Sequence, residues 1–289
     1  MIAIYKRELA SYANNMMGGL CVAFMIVCVG LYFFANNLSM GYPSFAVSLY
    51  NASFLFLVIV PLLTMRSLSE ERRSKTDQLL LTSPVTVTGV VLGKYLAMLT
   101  VFALPCLLFC LCPLIMLAGG GNVYFGTDYA TILCFFLLGG VYIAVGLLVS
   151  ALTESQVIAA VGSFGILLVL YLWDGIISLL PTSESGSLWL ILFFIAALAL
   201  LVNSISASPL LSAVVAVVLG AVTLIFWFVD SSVFASLVPD VLGTFSFSSV
   251  LQNFARNQVF DLAGLLMYLS ITALLLFLTV QVIQRRRWH

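Results

Sequence analysis

At 289 residues, the chain is 63% hydrophobic and only 8% charged. Soluble domains carry about a quarter charged residues, so this composition excludes an ordinary soluble protein and indicates a polytopic membrane protein. The formal net charge of zero conceals an asymmetry: Lys6 and Arg7, then Arg66, Arg72, Arg73, Lys75 and Lys94, then Arg285, Arg286 and Arg287 form three clusters, with only Arg256 elsewhere. By the positive-inside rule those clusters are expected to face the cytoplasm.

The first twelve residues are too polar to span. Tyr5, Leu9, Tyr12 and Met16 recur at helical spacing, which predicts one apolar face of an N-terminal helix lying in the membrane interface. The apolar run that follows has about the ~20 residues needed to cross a bilayer, and no small-x-small cleavage site follows it, so a signal peptide is not expected. Spans are predicted over 16–35 and 45–65, joined by an outer loop over 36–44.

Residues 66–94 then form the one long polar segment in the chain. Glu71 with Lys75, and Arg73 with Asp77, stand at i,i+4, which predicts a short self-supporting helix with a solvated face. Leu68, Leu79, Leu80 and Leu81 are left to pack elsewhere. Ser83 as N-cap and Pro84 as first helical residue predict a second short helix and a sharp corner between the two. A charged hairpin with spare leucines fits a docking lever for a soluble partner; it equally fits a solvated loop that only fixes topology.

A third span is predicted over 95–118, kinked at Pro105 and Pro113 because each removes an internal hydrogen bond. Gly119–Gly121 makes an outer turn before a span over 129–151. A short cytosolic turn follows with Thr153, Glu154 and Gln156, where Thr153 or Ser155 can cap the next helix without any partner. A fifth span, 157–180, carries Asp174, the one carboxylate well inside an apolar run. Such a residue is a functional candidate, although its nearness to the outer end also fits a structural or interfacial role. Apolar runs at 188–202 and 210–228 read as a hairpin that crosses twice, or as a re-entrant pair. In the outer segment 229–261, Phe247, Val250, Leu251 and Phe254 make an apolar stripe opposite Ser249, Gln252, Asn253 and Arg256, which predicts an amphipathic helix. It either packs over the mouth of a pathway as a gate or lies on lipid headgroups. Asp261 is placed to cap the last span, 262–284.

Chemistry of other kinds lacks its residues. All six cysteines fall in apolar spans, and the one histidine is His289, which argues against a disulfide framework, a metal site and histidine-based catalysis. Gly93-Lys94 has no phosphate-loop context, since position 88 is Thr and position 95 is Tyr.

Several of these runs resemble ABC-2 type permeases, particularly the group of gliding-motility-type and nitrous-oxide-reductase-maturation permeases. In that pattern Glu-Glu-Arg-Arg-x-x-Thr-x-x-Leu-Leu-Leu-x-x-Pro-Val precedes Gly-Lys-x-Leu-Ala. The matching positions are Glu70, Glu71, Arg72, Arg73, Thr76, Leu79, Leu80, Leu81, Pro84 and Val85, then Gly93, Lys94, Leu96 and Ala97. Lys75 and Gln78 depart from the usual Gly and Glu. The N-terminal Lys6-Arg7-Glu8-Leu9 with Tyr12, the Ser150, Leu152, Thr153, Gln156, Ala159 run, and Phe254 to Leu262 match further, with Asn257 in place of a usual Gly.

The resemblance implies an all-α polytopic membrane protein: a type V-like six-helix core with an inserted hairpin at 188–228, about eight transmembrane helices in all, and an N-terminal interfacial helix, forming one transmembrane domain. It implies the permease subunit of an ATP-driven exporter in a bacterial plasma membrane, with both termini cytoplasmic and no catalytic residue of its own. ATP and Mg would sit on a partner ATPase present in two copies, which residues 70–84 and the 153–156 turn would contact. A second permease subunit, identical or related, would complete the pathway; a large extracytoplasmic auxiliary protein and membrane lipid are further partners, and nucleic acid is not. The alternatives are an ion-coupled carrier or channel, and a non-transporting scaffold for an ATPase.

Overall fold

Helix formation follows the apolar runs, because a backbone in lipid must satisfy its own N–H and C=O groups. The computed structural model describes residues 1–75, 86–181, 183–206, 217–221, 223, 227 and 237–287, and these contain helices and turns but no strand. Among the described residues, five helical stretches are long and apolar enough to cross a membrane: Met16–Ser39, Phe45–Arg73, Val87–Ala118, Phe125–Leu152 and Leu262–Arg285. The protein is an all-α polytopic membrane protein.

Helix α1 (Ile2–Asn14) ends at an extended Asn15, and α2 (Met16–Tyr32) continues through a π-helical stretch, Phe33–Ser39. The second stretch is built from α3 (Phe45–Ala52), a 3-10 turn, α4 (Phe56–Thr64) and the short α5 (Ser69–Arg73). Helix α6 (Val87–Phe109) begins with Thr86 as its cap, accepting from the Gly89 N–H at 3.3 Å. It carries Pro105 within it and breaks at Cys110 and Leu111 before α7 (Cys112–Ala118), in which Pro113 occupies the first turn. Of the two expected kinks, the one at Pro113 is thus a break between two helices, since a proline, having no N–H to donate, fits the first turn of a helix, where that N–H would be unpaired anyway.

Helix α8 (Phe125–Leu152) is the axis of the first compact unit, Met1–Tyr171 with Phe247–His289. It packs against α3, α4, α6, α9 (Gln156–Tyr171), α13 (Phe247–Ala255) and α14 (Leu262–Arg287). Because lipid tails are as apolar as leucine, close approach rather than hydrophobic burial must hold such a bundle together. Two glycines of α8 supply it. A Cβ at Gly139 would lie 2.4 Å from the Phe102 ring, and one at Gly146 would lie 2.3 Å from Thr64 Oγ1. Around them Phe56 meets Phe135 at 4.5 Å between ring centroids and Tyr142 edge-on at 5.4 Å.

The expected fifth span is not continuous. α9 stops at Tyr171, and after Leu172 a separate helix α10 (Trp173–Ser178) begins, so Asp174 stands in the first turn of a short helix rather than two turns inside a long one. A carboxylate at that position suits the positive end of a helix. The second compact unit, Leu172–Ser246, contains α10, α11 (Glu184–Ser206) and α12 (Leu237–Gly243), with the Trp173 indole donating to the Leu242 carbonyl at 3.0 Å. α11 runs for 23 residues, beyond the fifteen of its apolar run.

Candidate functional site

The most polar region of the first unit is built where α1, α5 and α6 converge. α6 begins at Val87, so Lys94 lies two turns inside an apolar helix, and it is only 2% exposed. An ammonium has three N–H donors and no acceptor, and each must find a partner when water is absent. Lys94 Nζ donates to Glu8 Oε1 at 3.0 Å, to Glu71 Oε1 at 2.9 Å and to the Ser67 carbonyl at 2.8 Å. Arg7 then bridges the same two carboxylates, at 2.9 Å to Glu8 and 2.8 Å to Glu71. Two cations face two anions, and the cluster is neutral.

Gly93 makes the approach possible. A Cβ there would stand 3.2 Å from Ile4 Cγ2 and 3.3 Å from the Met1 carbonyl, so α1 lies directly on α6 and brings Glu8 to Lys94. Tyr5 exchanges a hydrogen bond with Thr100 at 3.1 Å, and Tyr12 donates to the Leu63 carbonyl at 3.0 Å. Burial pushes the Tyr12 phenol above its ordinary pKa, which keeps it a donor. The N-terminal helix is therefore amphipathic as expected, but its face is docked on protein. Met16 is not on that face: Asn15 is extended, and Met16 starts α2 and is exposed.

The expected Glu71–Lys75 pair does not form. Lys75 has a positive φ of 57° just after the end of α5, while Glu71 turns toward Lys94 and Arg7. The physical reason is one of magnitude: an exposed i,i+4 pair contributes about 0.3–0.5 kcal/mol, whereas an uncompensated buried charge costs several. The second expected pair involves Asp77, which lies outside the described residues, as do Thr76, Leu79, Leu80, Leu81, Ser83 and Pro84.

The short turn after α8 joins the same end of the bundle. Ser150 Oγ accepts from the Leu68 and Ser69 N–H groups at 3.2 and 3.1 Å, capping α5 from another helix. Arg72 pairs with Glu154 at 2.7 Å and donates to the Leu152 carbonyl at 3.0 Å. Thr153 Oγ1 accepts from the Ser155 N–H at 3.2 Å and Gln156 opens α9. Two segments recognised separately in the sequence are thus one site, with Glu70 and Arg73 exposed on its surface.

At the far end of α8, Asp128 is fully buried and accepts from the Ala46 N–H at 3.0 Å and from Ser44 Oγ at 3.2 Å, capping α3. Phe247, Leu251 and Phe254 of α13 are buried, Leu251 completely, so the stripe packs into the bundle. Arg256 lies over the Tyr50 ring at 4.7 Å, and Asp261 caps α14 through the Gly264 N–H at 2.8 Å. Sequence reasoning missed Glu8, Lys94, Ser150 and Asp128 as organising residues. The available signal was a lysine inside an apolar helix, which calls for carboxylates nearby.

With the bundle and this charged end established, comparison with known families is decisive. Residues 2–187 match the family described as ABC-2 family transporter protein. The chain belongs to that family. No curated protein matches the sequence. As an ABC-2 family membrane protein, with apolar helices long enough to span, the chain fits the permease part of an ABC transporter, and the charged site occupies one end of its spans.

Replacing Lys94 by Met should take the ammonium away from Glu8 and Glu71 and cost about 3–5 kcal/mol, the usual loss on breaking a buried pair. Thermal unfolding of the purified chain in detergent measures it. Combined with Glu71→Gln, the two losses should be non-additive by at least ~1 kcal/mol; simple additivity would show that the network does not couple α5 to α6.

Proposed function

We propose that the chain is the transmembrane subunit of an ATP-driven exporter, in which a separate ATPase acts on the membrane helices through α5. The observation that carries this reading is the cross-linking of α5: Glu71 to Lys94 on α6 and, through Arg7, to α1; Arg72 to Glu154; and its first N–H groups to Ser150 on α8. A short charged helix tied to α1, α6 and the end of α8 transmits a push, because none of these can stay in place when it moves. Two permease copies, identical or related, enclose the pathway. Two ATPase subunits hold ATP and Mg, and their closure drives the pair of α5 helices. Residues 76–85 extend the contact with the ATPase.

In this reading the basic end of the bundle and both termini are cytosolic in a bacterial plasma membrane, and residues 188–228 form a hairpin added to a six-helix core, which the 23-residue length of α11 supports. The alternatives of an ion-coupled carrier or channel gain no support from the described spans: Lys94 is neutralised by carboxylates outside the span, and Asp174 stands in the first turn of a short helix.

Glu71 is committed to the fold, so the docking test uses the exposed pair. Glu70→Lys with Arg73→Glu should release the co-purifying ATPase or uncouple its turnover by at least tenfold, with the thermal midpoint unchanged. Undiminished ATPase association and turnover would refute the lever.

Sidedness is tested with single cysteines at the exposed positions Ser74 and Asn257 in a background lacking the native six. An impermeant thiol reagent should label them from opposite faces of the membrane. Labelling from one face would overturn the topology.

We further read α13 as part of the outer gate, since it packs between α8 and α14 and would move with either. Leu251→Lys places an ammonium without a partner at a completely buried position. It should raise ATP turnover without transport, or abolish assembly; wild-type transport by the variant would remove the gate.

A further inference from the structure

Between α1 and the α4–α5 corner lies a cleft of about 350 Å³, within the size range of small-ligand sites. Its depth in the bundle follows from the elements around it. Met17 at the start of α2 and Leu62 and Leu63 at the end of α4 give it an apolar wall, and Arg66, Ser67 and Glu70 continue that wall just beyond the apolar runs. Two spans end here beside an amphipathic helix, so the cleft opens at the level of the lipid headgroups.

Its charges are of two kinds. Arg7, Glu8, Glu71 and Lys94 line the inner side and neutralise one another. Arg66 and Glu70 also line the cleft, are exposed, and among the described residues make no ion pair with each other or with anything else. They offer one guanidinium and one carboxylate. Two further groups point to an anion. The Ser67 hydroxyl is buried beside the Tyr12 phenol, and the first N–H groups of the 17-residue α2 open beside the cleft with no side-chain cap from Asn15. Free N–H groups at a helix start, a hydroxyl and a guanidinium fork are the donors that hold a phosphate oxygen.

We propose that this cleft holds the headgroup of a zwitterionic phospholipid, its phosphate on Arg66, Ser67 and the start of α2, its ammonium on Glu70, and its acyl chains along Met17, Leu62 and Leu63. The lipid occupies the space between the N-terminal helix and the corner that carries α5, so its presence stiffens that corner. The chemistry recognised is a phosphate ester beside an amine, and the apolar wall selects the membrane-borne form over a soluble one.

The full-length chain, purified alone and delipidated in a mild detergent, is titrated with dioctanoyl phosphatidylethanolamine, dioctanoyl phosphatidylglycerol and water-soluble phosphoethanolamine, with occupancy read by native mass spectrometry. One phosphatidylethanolamine per chain should be retained at least tenfold better than either competitor. Arg66→Gln should weaken both lipids at least tenfold, and Glu70→Gln should erase the preference for the amine. Both side chains are exposed and form no ion pair among the described residues, so both variants should elute as the wild type does on gel filtration. Retention unchanged in Arg66→Gln would mean ordinary surrounding lipid and overturn the site. Phosphoethanolamine binding as tightly as the lipid would overturn the assignment to a lipid. The ATPase is absent from the measurement, so its outcome is independent of the lever reading.

Discussion

A lysine two turns inside an apolar helix sets the terms for this end of the molecule. An unpaired ammonium in that position would cost several kcal/mol. Lys94 avoids this by using its three donors on Glu8, Glu71 and the Ser67 carbonyl. None of these belongs to its own helix. The N-terminal helix must therefore lie where Glu8 reaches, the α4–α5 corner must bend where Ser67 and Glu71 reach, and Gly93 must be bare for α1 to come close enough. Arg7 completes the neutrality. A pair of like-charged carboxylates sharing one lysine would otherwise repel, and a fourth charge removes that conflict.

Such a network adds little net stability compared with a well-packed apolar substitute of similar volume. Its value lies in geometry. Hydrophobic contacts inside a bilayer are weakly directional, and helices packed on leucines and glycines can slide or rotate against one another. Directed bonds from one ammonium to three groups permit one register of α1, α5 and α6. If α5 is a point of applied force, a fixed register is what converts its displacement into movement of the spans.

Much of the fold was legible in the sequence. The apolar runs locate the spans to within a few residues at most ends, Asp261 caps the last helix as its position suggested, and the stripe of Phe247, Val250, Leu251 and Phe254 is a real helix face. Three things were not legible, for distinct reasons. The start of α6 was placed too late because the span was begun after the charged Lys94, with the preceding residues given to the second short helix of the polar segment, and this hid the burial of Lys94. The partner of Glu71 was misjudged because i,i+4 spacing is visible along a chain while a partner 23 residues further on is not. The break at Leu172 has no proline or glycine at it to announce it; Asp174 and Gly175 follow closely, but the apolar residues on both sides read as one span.

The two ends of α8 show a second constraint that composition alone cannot reveal. Helix starts leave free N–H groups, which water satisfies on a soluble protein and which must be satisfied by protein inside a bilayer. The second stretch is broken into short helices; α4 continues directly from the 3-10 turn, while α3 and α5 start afresh, and neither of these two carries its own side-chain cap. α8 caps both: Asp128 takes the Ala46 N–H at one end, and Ser150 takes those of Leu68 and Ser69 at the other. At 1.5 Å per residue the 22 residues from Asp128 to Ser150 cover about 33 Å, close to the ~30 Å hydrocarbon thickness. One helix thus carries a polar cap near each end, about a bilayer's hydrocarbon thickness apart, and the broken stretch beside it is measured against that ruler. A change in tilt between them would strain both caps together, so movement started at α5 has a direct route along α8 to the opposite end, where α3 and α13 pack against it.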